Sequence, residues 1–89
     1  MLEIMVIFAH WCPICNMMLP LIEELEKDYV GKIELIWIDV DKNPDVYEMY
    51  EIEIVPTLIL LREKAEIARM SGMIGERVLR KRIENEINF

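Results

Sequence analysis

Three glycines and four prolines in 89 residues are too few for collagen-like repeats, low-complexity linkers or a disordered chain. No apolar run approaches the roughly 18 residues that a membrane-spanning helix needs, so a transmembrane protein is not expected. Bases are scarce: 10 Lys and Arg stand against 17 Asp and Glu, a net charge of −7. That balance argues against nucleic acid as a partner, because phosphate binding needs clustered cations. The first residues, Met1-Leu2-Glu3, place an acid where a secretory signal carries Lys or Arg, and the protein is expected to be cytoplasmic. Cysteine occurs only twice, at Cys12 and Cys15. A secreted disulfide scaffold would carry more cysteines and scatter them, so a close pair points to chemistry instead.

What the chain has in plenty is apolar residues, 54% of the total. A length of 89 residues suits one domain, expected over 1–89, with the high apolar content offsetting the small core that such a chain can bury. Charge is uneven: residues 1–61 hold three bases and twelve acids, while residues 62–89 hold seven bases and five acids. This reads as an acidic body with a basic final helix. Leu2 to Ala9 is an apolar run of strand length, as in a strand buried on both faces. Residues 13 to 29 then place Ile14, Met17, Met18, Leu21, Ile22, Leu25 and Tyr29 three and four apart, the stripe of an amphipathic helix that contains Pro20. Gly31 closes it, and Ile33 to Val40 is a second strand. Joined by a helical crossover, the two strands should be parallel neighbours. Asn43-Pro44-Asp45 should open a short helix, with Asn43 as its cap. Thr57 to Leu61 and Glu66 to Met70 follow as strands, the latter at a sheet edge. A last helix from Glu76 should bury Val78, Leu79, Ile83 and Ile87. The element order is βαβαββα.

Both cysteines lie in Trp11-Cys12-Pro13-Ile14-Cys15, where the first strand feeds the first helix. Cys12 stands at the helix N-terminus, where unpaired N–H groups and the helix dipole favour a thiolate. Pro13 suits the first helical position because its missing N–H costs nothing there. Cys15, one turn deeper on the same face, is within disulfide reach. The asymmetry assigns attack on a substrate disulfide to an exposed Cys12 and resolution of the mixed disulfide to Cys15. Two alternatives stand beside this reading. His10 makes an H-x-C-x-x-C set of three soft ligands for a metal, although no second Cys pair or His accompanies it. The pair can also be inert, since free Cys is often core.

The sequence resembles the thioredoxin superfamily at landmarks spread along nearly the whole chain. They are Phe8-Ala9-His10-Trp11-Cys12-Pro13-Ile14-Cys15, Pro20 in the following helix, Asp41-Lys42-Asn43-Pro44, Ile54-Val55-Pro56-Thr57 and Gly72. The resemblance implies a thioredoxin-like α/β fold, with a four-stranded mixed sheet of order 2-1-3-4 flanked by three helices. It implies a cis Pro56 facing the disulfide, and a Val55 backbone that pairs with extended substrate. Val55 and Pro56 then contact substrate, with Trp11 beside the nucleophile as a further candidate contact, while Pro13, Ile14 and Gly72 support the site. The chain departs from the family's patterns in several places. The opening strand and helix of longer thioredoxins have no counterpart. Pro-Ile between the cysteines is closer to glutaredoxins, yet Ser71-Gly72-Met73-Ile74-Gly75-Glu76 replaces the Gly-Gly-Asp with which they hold glutathione. Val6 stands where thioredoxins bury an Asp, and Trp37 replaces its Lys partner.

The expected function is therefore thiol–disulfide exchange that reduces protein disulfides through Cys12 and Cys15. It needs no metal and no cofactor beyond the Cys12–Cys15 disulfide itself. Protein disulfide substrates and an unidentified reductase are the expected partners of a monomer. A glutaredoxin-like oxidoreductase and a C-x-x-C metal-binding module are the alternatives. Met17, Met18 and Trp37 are expected in the core. Trp11 suits a substrate contact as well as packing, and His10 an exposed loop position from which it could lean over the Cys12 thiol.

Overall fold

The structure, a computed structural model, describes residues 1–87, so the last two residues of the expected 1–89 domain lie outside it. Its elements are β1 (Leu2–Phe8), α1 (Pro13–Asp28), β2 (Ile33–Asp39), α2 (Val46–Met49), β3 (Thr57–Arg62), β4 (Ala65–Ser71) and α3 (Glu76–Ile87). The strands form one sheet in the order β2-β1-β3-β4. β1 runs parallel to β2 and antiparallel to β3, and β4 pairs antiparallel with β3. The strand order, the mixed sheet and the three helices match the sequence reading. No helix among the described residues is long and apolar enough to cross a membrane.

β1 and β3 are the central strands, and the pleat sends their alternate residues to opposite faces. Ile4, Val6, Leu58 and Leu60 meet Met18, Ile22 and Leu25 of α1 and Leu79 and Ile83 of α3. Met5, Ile7 and Ile59 form a second cluster with Val40, Val46, Ile52 and both cysteines. Burial on two faces is why these strands read as unbroken apolar runs rather than alternating ones. Cys15, Met18, Ile22 and Leu25 are the buried residues of α1. Gly31, at φ +80, turns the chain from the end of α1 into β2 through a left-handed conformation that glycine adopts freely.

Several side chains lie elsewhere than their local pattern suggests. Trp37, expected in the core, is 37% exposed, because β2 is an edge strand; its ring packs edge-on against Phe8 with centroids 5.8 Å apart. Met17 is exposed while Met18 is buried, since only one of two consecutive helical positions can face the sheet centre. The same rotation exposes Val78 beside the buried Leu79. Asn43 does not cap α2, which begins at Val46 after Asp45. Its side-chain amide instead donates to the Asp39 carbonyl at 3.1 Å.

Candidate active site

The site begins where β1 ends. Cys12 is the N-cap of α1, with an extended backbone (φ −89, ψ 114) and Pro13 directly after it. The Cys15 N–H, one of the donors a helix end leaves without a backbone partner, donates to Cys12 Sγ at 3.2 Å,. A thiolate at this position receives that hydrogen bond together with the positive end of the helix dipole. The Cys12 thiol also donates to the Val55 carbonyl at 3.6 Å. That contact joins the first helix to a loop more than forty residues away.

Both cysteines are free thiols. Cys12 was expected to be exposed, and it is not: its relative exposure is 6%, against 1% for Cys15. The loop that carries Val55 lies against it, which no local pattern around Cys12 reveals. The order of accessibility still favours Cys12. Burial pushes the Cys15 thiol up to about 11 from an ordinary 9.0, and the adjacent Cys12 sulfur adds to the rise through a hydrogen bond and its charge.

The opposite wall is the segment before β3. The Val55–Pro56 peptide is cis, and Pro56 is buried while Val55 is partly exposed. Thr57 Oγ1 donates to the Ile54 carbonyl at 2.7 Å, and the Gly72 N–H donates to the Pro56 carbonyl at 2.9 Å. Gly72 itself has φ +75, and a Cβ there would meet Ile54 Cδ1 at 3.5 Å. Thus Cys12, Val55, Pro56 and Gly72, dispersed in sequence, are linked by contacts into one site. Trp11, Ile14, Ile54 and Met73 expose apolar surface at 62%, 38%, 50% and 55%. Of these, Ile54 stood out in the sequence only as a landmark and Met73 only as part of a departure.

His10 does not lean over the thiol. Its Nε2 lies 3.2 Å from Asp39 Oδ2, and its ring meets the Phe8 ring edge-on at 5.2 Å. Asp39 did not stand out in the sequence; the only signal was a carboxylate at the end of a mostly apolar strand. The Trp11 indole N–H donates to Asp41 Oδ1 at 3.2 Å. Among the described residues, no three His, Cys, Asp or Glu side chains gather as metal ligands.

A family model for thioredoxin matches residues 2–85. The chain belongs to the thioredoxin family. A thioredoxin of Staphylococcus aureus is 38% identical over 65 residues, 73% of this chain and 62% of that protein. The chain therefore spans less than two thirds of the length of that curated thioredoxin. Solved thioredoxin structures align over 94% of it. The thioredoxin of Fasciola hepatica is 31% identical with a TM-score of 0.86 over 79% of its own length. The germline-specific thioredoxin Deadhead of Drosophila melanogaster is 28% identical with a TM-score of 0.87, also over 79%. Membership of the thioredoxin family agrees with the C-x-x-C pair at the mouth of α1.

Proposed function

We propose that this thioredoxin-family chain is a thiol–disulfide oxidoreductase that reduces protein disulfides. The observation that carries the reading is the inequality of the two thiols: Cys12 Sγ accepts the Cys15 N–H at a helix N-terminus, while Cys15 is buried and held protonated. The Cys12 thiolate attacks one sulfur of a substrate disulfide, forming a mixed disulfide and expelling the other sulfur as a thiolate that takes up a proton. Cys15 then loses its proton and attacks Cys12 Sγ. The Cys12–Cys15 disulfide forms, and the second substrate sulfur leaves and is protonated. Two electrons and two protons pass to the substrate, so a separate reductase must reduce the pair again. No group beyond the two cysteines is required.

Trp11, Val55 and Pro56 are the proposed substrate contacts. When Cys12 is ionised its thiol proton is gone, and the Val55 carbonyl, now without that donor, is free to accept an N–H from an extended substrate strand. Pro13 starts α1 at the right residue, Ile14 adds apolar surface, and Gly72 holds the Pro56 carbonyl. The reading also takes the protein to be a cytoplasmic monomer. The metal-binding alternative has less support, since His10 is engaged by Asp39.

Reduction of a model protein disulfide with dithiothreitol as electron source tests the assignment. Cys12→Ser should abolish turnover, whereas Cys15→Ser should still attack once and accumulate mixed disulfides visible by intact mass. If Cys15 is the thiol alkylated first at neutral pH, the roles are reversed and the reading fails.

A further inference from the structure

The turn that delivers Cys12 is tied to a distant part of the chain through both of its central side chains. The Cys12 N–H donates to the Ala9 carbonyl at 3.3 Å, which places His10 and Trp11 in the middle of a β-turn. His10 Nε2 reaches Asp39 Oδ2 at 3.2 Å, and Trp11 reaches Asp41 Oδ1 at the same distance. The two carboxylates flank Val40, which is 2% exposed. Asp39 is itself firmly held. Its Oδ1 accepts the Asp41 N–H at 2.9 Å, and its backbone carbonyl accepts from the Asn43 side chain and from the Lys42 and Asn43 N–H groups. The Asp39 side chain is 11% exposed against 71% for His10. The carboxylate is therefore the fixed anchor, and the imidazole is the solvent-facing, titratable partner.

We propose that His10 is a positioning residue, and that the His10–Asp39 pair is a protonation-dependent latch on the turn carrying Cys12. Protonated, the imidazole makes a charge-assisted contact with Asp39 and sets a cation two residues from the attacking sulfur. Deprotonated, it withdraws that cation from the Asp39 and Asp41 carboxylates at the turn that delivers Cys12, and the remaining like charge disfavours the thiolate. In the chain around the latch the other ionisable groups are Asp41 and Lys42 after β2, and Cys12 and Cys15 at the start of α1. The reactivity of Cys12 should thus follow the imidazole as well as its own ionisation. This inference rests on Cys12 being the attacking thiol. It does not depend on which disulfides the protein reduces.

The test is the rate of alkylation by iodoacetamide across about pH 5 to 9 on the reduced protein, with the modified cysteine identified by peptide mass mapping. On the acid side the parent should react about two- to fivefold faster than a single ionisation fitted to the alkaline limb requires, the span of an exposed ion pair. His10→Gln and His10→Lys should each follow a single ionisation, that of the Lys variant displaced to lower pH because its cation persists throughout. A merely structural contact would change the rate without changing its pH profile. His10 is exposed, so both variants should fold, and thermal melting checks that they do. A parent profile with one ionisation, or an excess that survives in His10→Gln, overturns the latch. Modification of Cys15 before Cys12 would instead refute the assignment of the attacking thiol, a separate failure.

Discussion

Raising the pH from about 6 to about 9 should speed closure of the Cys12–Cys15 disulfide nearly tenfold per unit, because only the Cys15 thiolate can attack and burial pushes that thiol up to about 11. Relative to an ordinary value of 9.0, the rise leaves about one hundredth of the thiolate at neutral pH. A more basic thiolate is also a better nucleophile. With a Brønsted coefficient of about 0.4–0.5, the two-unit rise returns roughly six- to tenfold. Resolution should then run about ten- to sixteenfold slower than with an unburied cysteine at the same pH. This is an upper bound. In the mixed disulfide Cys12 carries no charge, so that part of the rise is relieved, whereas burial, the largest cause, persists. Stopped-flow reaction of the reduced protein with an excess of an aromatic disulfide separates the steps, since attack by Cys12 releases one coloured thiolate and resolution by Cys15 a second. The second phase should climb with unit slope through the neutral range. A plateau below about pH 8 would refute the reasoning. If that plateau survived His10→Gln, a base other than His10 would be taking the proton from Cys15.

Other expectations concern stability. Because the folded-state pKa of Cys15 is raised, its contribution is fully present below pH 9.0 and is lost as pH rises toward about 11,. Urea melts of the reduced protein should show this alkaline loss, with less of it in Cys15→Ala. Tyr29, also pushed up by burial and then by Glu84, should leave a residual loss in both proteins. The β3–β4 loop places Glu63 and Lys64 at φ 52 and 70, the left-handed pair of a type I′ turn that Asn-Gly fills best. Replacing them by Asn and Gly should stabilise by about 1 kcal/mol by thermal melting. The exchange also removes the Lys64–Glu3 ion pair, but the Lys64 side chain is 85% exposed, so the effect should be small. Gly72→Ala should cost about 1 kcal/mol through its backbone conformation, since the added methyl meets Ile54 at only an ordinary contact distance,. An unchanged melting temperature would contradict that account.

Local chemistry in the sequence determined much of this protein. Pro13 immediately after Cys12 starts α1 where the cysteine becomes its N-cap, and the three-residue spacing brings the Cys15 N–H onto the Cys12 sulfur. The apolar runs of β1 and β3 marked strands buried on both faces, and the crossover through α1 made β1 and β2 parallel neighbours. Those features depend on residues within a few positions of one another, where periodicity and capping act. Tertiary structure decided the rest. Trp37 has immediate neighbours as apolar as those of Ile7, but the sheet order leaves its strand at an edge. Cys12 looks exposed from its helix alone, and it is covered because Val55 arrives from the loop before β3. His10 pairs with Asp39, which stands at the end of the adjacent parallel strand with its carboxylate held in place by its own loop. Each of these outcomes depends on which distant segment packs against the residue, a matter of strand order and loop placement on which the pattern of its immediate neighbours is silent.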